Sequence, residues 1–349
     1  MAGNKMKKAF FINGGVGRVL CAIPALEWYK ENIDPDVVIV AEAWSEIYMA
    51  SASIRDNVYP VGHKDLFKDK LKDKEIISPE PYRLNSYFNQ KCNLIQAFDI
   101  IINDLEEIPP TKGFNLDINK VDQVFGYNMV MQAKEQMGKD KVVVFQPFGS
   151  GIVKEDNFVF DTSGRSFELK DVYDIAEELA KNYIVIMMAN IDIPPPPKTI
   201  GVIKPDNANL LQWMGIINAA DYFVGCDSMG QHYAHALGKP ATVVIGSTCP
   251  ENITYPDNKD FTIIDNGKEK RKYIPMRITQ DFTGERNNED LMIMSKDTIN
   301  KITKSVTDKL GKTKQSKGNK NIAEIPHVHG PNCSHAGQPI DPPFAKKSI

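Results

Sequence analysis

One segment in the second half of the chain combines acidic, hydroxyl and imidazole side chains where a strand should lead into a helix. It reads ADYFVGCDSMGQHYAHALGKP from residue 220 to residue 240. Asp227 and Ser228 are residue types that favour helix N-caps. The free backbone N–H groups of a first helical turn carry partial positive charge and attract anions. The segment can therefore hold a diphosphate or, more simply, cap its own helix.

Two histidines follow on the same helix. His232 and His235 are three residues apart and share one helical face. Two imidazoles without a nearby carboxylate make a poor metal site. Packing, or hydrogen bonding to the preceding loop, is the favoured role, and no metal is expected in the core.

A glycine-rich turn lies near the N-terminus. Residues 9–12 form an apolar strand candidate, and Gly14, Gly15 and Gly17 lead from it into a helical pattern. Arg18 adds positive charge to this loop, which favours an anion such as a phosphorylated acceptor. The alternative is a solvated surface arginine.

The C-terminal tail contains a cluster of metal-ligand types. Four soft or borderline ligands fall within nine residues: His327, His329, Cys333 and His335. By ligand type they suit zinc, nickel or copper. The alternative is a disordered tail that meets metal adventitiously, and neither hypothesis places it in catalysis.

The elements that must position these residues alternate between strands and helices. Apolar runs at 37–40, 142–145, 184–188, 222–225 and 241–245 predict strands, and helices are expected at 121–137, 171–180, 209–219 and 229–237. This alternation predicts an α/β protein with doubly wound parallel sheets, whose ligands bind beyond the carboxyl ends of the strands. We expect domains at 1–138 and 139–310, a proline connector at 194–197 and a flexible tail at 311–349.

Several segments resemble glycosyltransferase family 9, the heptosyltransferase family. The stretch from Asp227 is similar to the family's D-[ST]-G-x-x-H-x-A-x-A-L-G-x-P signature, and GGVGRVLCAIPAL at 14–26 to its G-G-[IL]-G-D-x-x-x-x-x-P-A-L loop. GSTCP at 246–250 resembles its G-x-T-x-P turn. More faintly, Arg165 and Phe167 match the lysine and tryptophan of its K-R-W-P segment. The resemblance spans residues 8–256.

The resemblance implies the GT-B architecture, in which two Rossmann-like domains face each other across a cleft. It also implies a metal-independent reaction with a nucleotide-sugar donor and no required cofactor. The residues it places at the donor are Asp227, Ser228, Met229, His232, Arg165 and, in a small-residue turn, Ser150. A bidentate guanidinium such as Arg165 suits a phosphate.

Two departures from the family pattern concern the chemistry. Arg18 stands where the family has an aspartate proposed as the general base, and arginine cannot accept that proton. Loss of a positioned base costs about 10²–10⁴ in rate. Met229 stands where the family has glycine, which here comes at Gly230, so the diphosphate contact can differ.

Composition narrows the class of protein. The chain has 349 residues, 42% hydrophobic and 25% charged, with a net charge of −3. This charge disfavours nucleic acid as a partner. Five scattered cysteines predict no disulfides, and the absence of an apolar run long enough for a signal or membrane span predicts a cytoplasmic protein. The oligomeric state is not predicted.

The leading hypothesis is an inverting transfer of a sugar from a nucleotide-diphosphate sugar to a hydroxyl of a glycan or glycolipid, as in lipopolysaccharide biosynthesis. The alternative is a catalytically inactive GT-B-like binding or structural module, motivated by Arg18 in place of the aspartate. A third reading is another GT-B enzyme, either a nucleotide-sugar 2-epimerase or a transferase acting on modified DNA. The epimerase would need several carboxylates in the cleft, and the DNA enzyme a basic groove.

Overall fold

The computed structural model describes residues 7–155, 158–189, 191, 193, 202–205, 208–272 and 290–312. The proline connector at 194–197 and the tail ligands His327, His329, Cys333 and His335 lie outside these ranges. Their roles therefore stay predictions.

The first sheet is built from short apolar runs that pair in parallel. The spatial order of its four strands is β3-β2-β1-β4. Because the strands are parallel, their carboxyl ends lie on one edge. The elements of this half are β1 (Lys8–Ile12), α1 (Val16–Asn32), β2 (Val38–Ala41), β3 (Val58–Pro60), β4 (Glu75–Ile77), α2 (Asn85–Phe88), α3 (Leu94–Ile102) and α4 (Lys120–Met137).

Within the described ranges, the second sheet has six parallel strands in the order β12-β11-β10-β5-β8-β9. A separate antiparallel hairpin, β6–β7, projects from it. The elements of this half are β5 (Val142–Gln146), β6 (Ile152–Glu155), β7 (Phe158–Asp161), α5 (Leu169–Ala180), β8 (Ile184–Met187), β9 (Val202–Ile203), α6 (Leu210–Ala219), β10 (Tyr222–Cys226), α7 (Met229–Ala236), β11 (Ala241–Ile245), α8 (Pro250–Ile253), β12 (Phe261–Asp265) and α9 (Lys296–Leu310).

Helices cover both faces of the second sheet. One apolar cluster lies between that sheet and helices α5 and α9. A larger cluster runs from β1 and α1 through α4, α6 and α7 to the opposite face, so the two halves share buried apolar contacts. This is the doubly wound architecture that the alternating pattern predicts.

Helix α4 packs closely on α6. A Cβ atom on Gly126 would lie 2.2 Å from the carbonyl of Gly215, so the two backbones touch there. The helix ends at Gly138, which has a left-handed backbone with φ of 64°. A domain division at residue 138 remains a proposal, and the structure adds that the preceding helix packs mainly on the second half.

Some short elements differ from expectation. The charged stretch at 64–74 has a helical sequence pattern but forms only a five-residue π-helical turn at Phe67–Leu71. Strands β3, β6, β7, β9 and β12 and helix α9 follow no pattern that we recognised in the sequence. Most of these strands have two to four residues, too few for an alternation to be recognised.

Two features of the described ranges are the apolarity of the helices and the state of the cysteines. None of the helices there combines the length and apolarity needed to cross a bilayer. Cys21, Cys92, Cys226 and Cys249 are free, buried thiols. The cytoplasmic location remains a prediction.

Candidate active site

A cleft with a volume of about 560 Å³ lies where the first sheet and the second sheet face each other. Its walls include the turn after β1, the turn after β5 and the turn after β10, all at carboxyl ends of parallel strands. The predicted site residues that line it are Gly15, Gly17, Arg18, Ser150, Arg165, Asp227, Ser228, Met229 and His232. Gly14 is next to this lining. The fold therefore brings the predicted residues together, although their binding roles stay predictions.

The turn from β10 into α7 is held by a glutamine rather than by its own side chains. Ser228 occupies the N-cap position without a side-chain capping bond. Gln146, at the end of β5, accepts a 2.8 Å bond from the Gly230 N–H and donates a 3.0 Å bond to Ser228 Oγ. The simpler expectation, that Asp227 or Ser228 caps this helix, is therefore wrong. Gln146 makes that contact, and Asp227 instead accepts a bond from Gln231.

Gly230 is required by this arrangement. A Cβ atom there would lie 2.4 Å from Gln146 Oε1 and 2.5 Å from the Phe223 ring. The displaced glycine thus has a structural reason, because it makes room for the capping amide. Met229 takes the preceding position, where it is mostly buried and lines the cleft.

Arg165 is fixed beside this turn by hydroxyl groups. Its Nε donates to Ser163 Oγ at 3.1 Å and its Nη2 donates to Ser150 Oγ at 3.1 Å. Its Nη1 lies 4.0 Å from Asp227 Oδ2. Burial alone would lower the pKa of Arg165, but the negative charge of Asp227 and its neighbours raises it overall. The guanidinium is therefore firmly cationic at the cleft wall.

Asp161 shapes the loop that carries Arg165. Its carboxylate accepts backbone N–H bonds from Ser163, Arg165 and Ser166. Burial by itself raises the pKa of Asp161, but hydrogen bonds from the side chains and backbone N–H groups of Ser163 and Ser166 lower it overall. Asp161 thus acts as a positioning residue for the arginine. Asp161 was not predicted, because nothing in the sequence pattern marks the end of the hairpin.

The N-terminal wall centres on Arg18. Its guanidinium forms an ion pair with Glu80, with Nη1 3.1 Å from Oε1, and Nη2 donates to the Pro79 carbonyl at 2.9 Å. The Tyr82 ring lies 5.0 Å from the guanidinium carbon. The Arg18 side chain is only 6% exposed. The alternative of a solvated surface arginine is therefore wrong.

The pairing also changes the role expected for Arg18. A carboxylate already neutralises its charge, so less positive charge is available to a phosphorylated acceptor than the sequence predicts. Gly14, with φ of 99°, is the close neighbour that this packing needs, since a Cβ atom there would lie 2.6 Å from Arg18 Cδ.

His232 links the two walls. Its ring packs against Gly17, where an added Cβ atom would lie 2.8 Å from Cδ2, and its Nδ1 is 2.7 Å from the Tyr255 hydroxyl. Burial lowers the pKa of His232 to about 3, with His235 contributing. His235 stacks on Tyr255 at 3.5 Å between ring centroids. Both imidazoles are therefore neutral packing and hydrogen-bonding groups.

Metal ligands do not gather in the described ranges, where no group of three or more His, Cys, Asp or Glu side chains has the spacing to hold an ion. The remaining cleft wall is largely apolar and was not predicted. It includes Trp44, Leu94, Met188, Pro205, Leu210 and Trp213. Lys204, also on this wall, donates to the Ile191 carbonyl at 2.9 Å.

The fold is similar to that of several solved glycosyltransferase structures. No protein-family model and no curated protein sequence matches the chain. A family 9 glycosyl transferase from Veillonella parvula superimposes with a TM-score of 0.57 at 13% identity, covering 88% of this chain and 98% of that one. The iron-containing dodecameric glycosyltransferase TibC of enterotoxigenic E. coli gives 0.54 at 10% identity, covering 87% and 77%. The E. coli ADP-heptose lps heptosyltransferase II gives 0.50 at 13%, covering 86% and 98%.

These matches define the class of fold. The chain has the α/β, GT-B-type fold of glycosyltransferase structures, with two parallel sheets facing across a cleft. The predicted fold class and the predicted resemblance to glycosyltransferase family 9 are confirmed at this level.

Proposed function

We propose that the chain is a glycosyltransferase that moves a sugar from a nucleotide-diphosphate sugar to a hydroxyl of a glycan or glycolipid, with inversion and without a metal ion. The observation that carries this proposal is the cationic wall of the cleft. Arg165, the Ser150 and Ser228 hydroxyls and the first turn of α7 all face one cavity. Such groups stabilise the charge of a departing diphosphate.

The donor and acceptor would occupy opposite walls of the cleft. The diphosphate would contact the turn after β10 and Arg165, and the acceptor would lie toward the glycine turn after β1. Arg165 would then replace a metal ion in stabilising the leaving group, because it neutralises the charge that develops on the diphosphate. TibC is described as iron-containing, so metal independence is part of what must be tested.

Glu80 is our candidate for the general base that deprotonates the acceptor hydroxyl, a role that Arg18 cannot perform. It is the carboxylate beside the expected base position, and its side chain is 39% exposed and fixed by Arg18. In the proposed step the acceptor oxygen attacks the anomeric carbon while the bond from that carbon to the β-phosphate oxygen breaks. The hydroxyl proton passes to Glu80, and the electron pair leaves with the nucleoside diphosphate.

The alternative function is a GT-B-like module that binds without catalysing transfer. One observation favours it: within the described ranges Asp227 is the single carboxylate that lines the cleft directly, and it is bonded to Gln231. A binding module would retain nucleotide affinity and show no turnover. The same scarcity of carboxylates weighs against the epimerase hypothesis.

The first experiment is a thermal-shift and calorimetric screen against ADP-, UDP-, GDP- and CDP-sugars and the matching diphosphates. We expect saturable binding of one nucleotide, weakened about tenfold or more by Arg165→Ala, with His235→Ala as the control that leaves affinity unchanged. Absence of binding across the whole panel, or unchanged affinity in Arg165→Ala, would overturn the donor site.

The role of Glu80 is tested by turnover with the donor that the screen identifies. Glu80→Gln should lower kcat by about 10²-fold or more while leaving donor affinity within about twofold. Asp104→Asn, at a carboxylate that pairs with Lys8 rather than with Arg18, is the control. Equal kcat for Glu80→Gln and the wild type would remove Glu80 from the mechanism without affecting the donor-site assignment.

A further inference from the structure

Helix α4 has an apolar face on each side. The inward face packs against α6. The outward face carries Val121, Val124, Tyr127 and Met131, which are 73%, 54%, 58% and 44% exposed. Their spacing of three and four residues aligns them in one stripe along the helix. A contiguous apolar stripe of this kind marks an interaction surface rather than an ordinary solvated one.

Two exposed charges at the ends of this stripe are placed against their own helix dipole. Lys120 is the first helical residue, at the positive end, and Glu135 lies in the last turn, at the negative end. Two other charges on this helix are placed favourably for the dipole, since the acidic Asp122 is in the first turn and the basic Lys134 is in the last. The outward pair is therefore unfavourable for the isolated helix, which suggests that a partner compensates it.

We propose that the outward face of α4 is a docking surface for α4 of a second copy of this chain, with the two helices antiparallel about a twofold axis. An axis passing between Tyr127 and Asn128 places Lys120 opposite Glu135 of the second copy and Val124 opposite Met131 of the second copy. Each misplaced charge then meets an opposite charge and the opposite end of a helix dipole. The surface is self-complementary, as a twofold interface must be.

The size of the surface sets the strength of this association. A single helix pair buries less area than the 1,200–2,000 Å² that is roughly standard for a stable complex. We therefore expect a reversible dimer with a Kd of about 10–100 μM rather than an obligate one. This inference is independent of the proposed transferase activity.

Sedimentation equilibrium of the full chain between about 1 and 500 μM measures this association. The wild type should approach twice the monomer mass as concentration rises. Lys120→Glu and Glu135→Lys should each weaken dimerisation about tenfold or more, because each brings like charges together. The double variant K120E/E135K should restore the wild-type Kd within about threefold, because the pair is re-formed with the signs exchanged.

Folding controls accompany these variants. Both single reversals place a charge favourably on the helix dipole, so the monomer should be as stable as the wild type or more so in thermal unfolding. Val124→Asp should abolish the dimer. Phe67→Asp, at a similarly exposed apolar side chain in another part of the chain, should leave it unchanged.

A monomer at every concentration would overturn the proposal. So would single reversals that leave Kd unchanged, or a double variant as weak as the singles. Binding of the monomer to phosphatidylglycerol vesicles, lost in Val124→Asp, would assign the stripe to a lipid surface instead and equally overturn it.

Discussion

Among the described residues that line the cleft there are two arginines, one on each wall, and they are held in opposite ways. Arg18 is neutralised by the Glu80 carboxylate and a backbone carbonyl beneath aromatic rings. The Arg165 guanidinium is held by two serine hydroxyls, and its Nη1 lies 4.0 Å from the Asp227 carboxylate, beyond hydrogen-bond distance. A hydroxyl fixes a guanidinium without cancelling its charge, whereas a carboxylate does both. The second wall is thus better prepared for an anion than the first.

This difference separates two functions that the sequence presents together. Both arginines stand at positions where a phosphate contact is plausible from residue type alone. Their partners indicate instead that Arg18 orders its wall and holds Glu80, while Arg165 keeps a charge that is available to the proposed donor. The contrast is testable, because the two arginines should affect different measurements.

The largest effect should come from breaking the Arg18 pair. Glu80→Ala leaves the buried guanidinium without its carboxylate and should lower the free energy of unfolding by about 3 kcal/mol, at the low end for a buried pair since Glu80 is partly exposed. Arg18→Met removes the charge as well and should cost only about 1 kcal/mol. Urea unfolding of both variants measures this, and equal losses would show that the pair is not strongly coupled.

A smaller effect concerns His232, which joins the two walls. Its pKa is about 3 in the folded chain because of burial, against an ordinary value near 6.5. The unfolded chain therefore binds the extra proton between these values, so this contribution to stability is complete above pH 6.5 and is lost as pH falls toward 3. We expect about 2 kcal/mol less stability from this residue at pH 5 than at pH 7.

His232→Gln provides the comparison for that pH dependence. The variant should be less stable at pH 7 but should lose less stability on acidification, measured by urea unfolding at pH 7, 6 and 5. The pKa of His235 is also lowered by burial, to about 4, so part of the wild-type slope should remain. A variant with the full wild-type slope would contradict the assignment to His232.

Much of the fold was predictable because its longest elements are strongly patterned. Buried β-branched runs such as Val142–Gln146 and Ala241–Ile245 can satisfy only a strand covered on both faces. The short edge strands β3 and β9 and the hairpin that carries Asp161 were not predictable, since two to four residues give no period. The shared core between the halves depends on a close approach at Gly126 and Gly215, which a single sequence does not reveal as a pair.

The candidate site was predictable where a turn and a residue type coincide. Asp227 and Ser228 were found in this way, Arg165 was found through a faint family resemblance, and all three line one cleft. Glu80 and Gln146 were missed because their roles come from pairing across 62 and 84 residues. Gln146 had a weak signal, since it ends a buried strand at the sheet edge where ligands bind. Glu80 had none.

The contrast between the arginines predicts a moderate effect on binding. Arg165→Ala should weaken nucleoside diphosphate binding about 30-fold, corresponding to a charge-assisted bond of about 2 kcal/mol, while changing the unfolding free energy little. Arg165→Lys should recover only part of the affinity, because one ammonium cannot make a bidentate contact. Calorimetric titration with the preferred diphosphate is the measurement. An affinity loss as large in Arg18→Met would break the contrast.

The smallest expected effect is that of Asp161, which acts on the donor only through Arg165. Asp161→Asn loses part of the acceptor capacity that orders the 163–166 loop, and should weaken diphosphate binding about fivefold. In an Arg165→Ala background the same substitution should change affinity by less than about twofold, because the residue it positions is gone. Its stability contribution is present near neutral pH and lost as pH falls through its lowered pKa. A full fivefold loss in both backgrounds would mean that Asp161 contributes to the site independently, and that the firm placement of Arg165 is not what distinguishes the two walls.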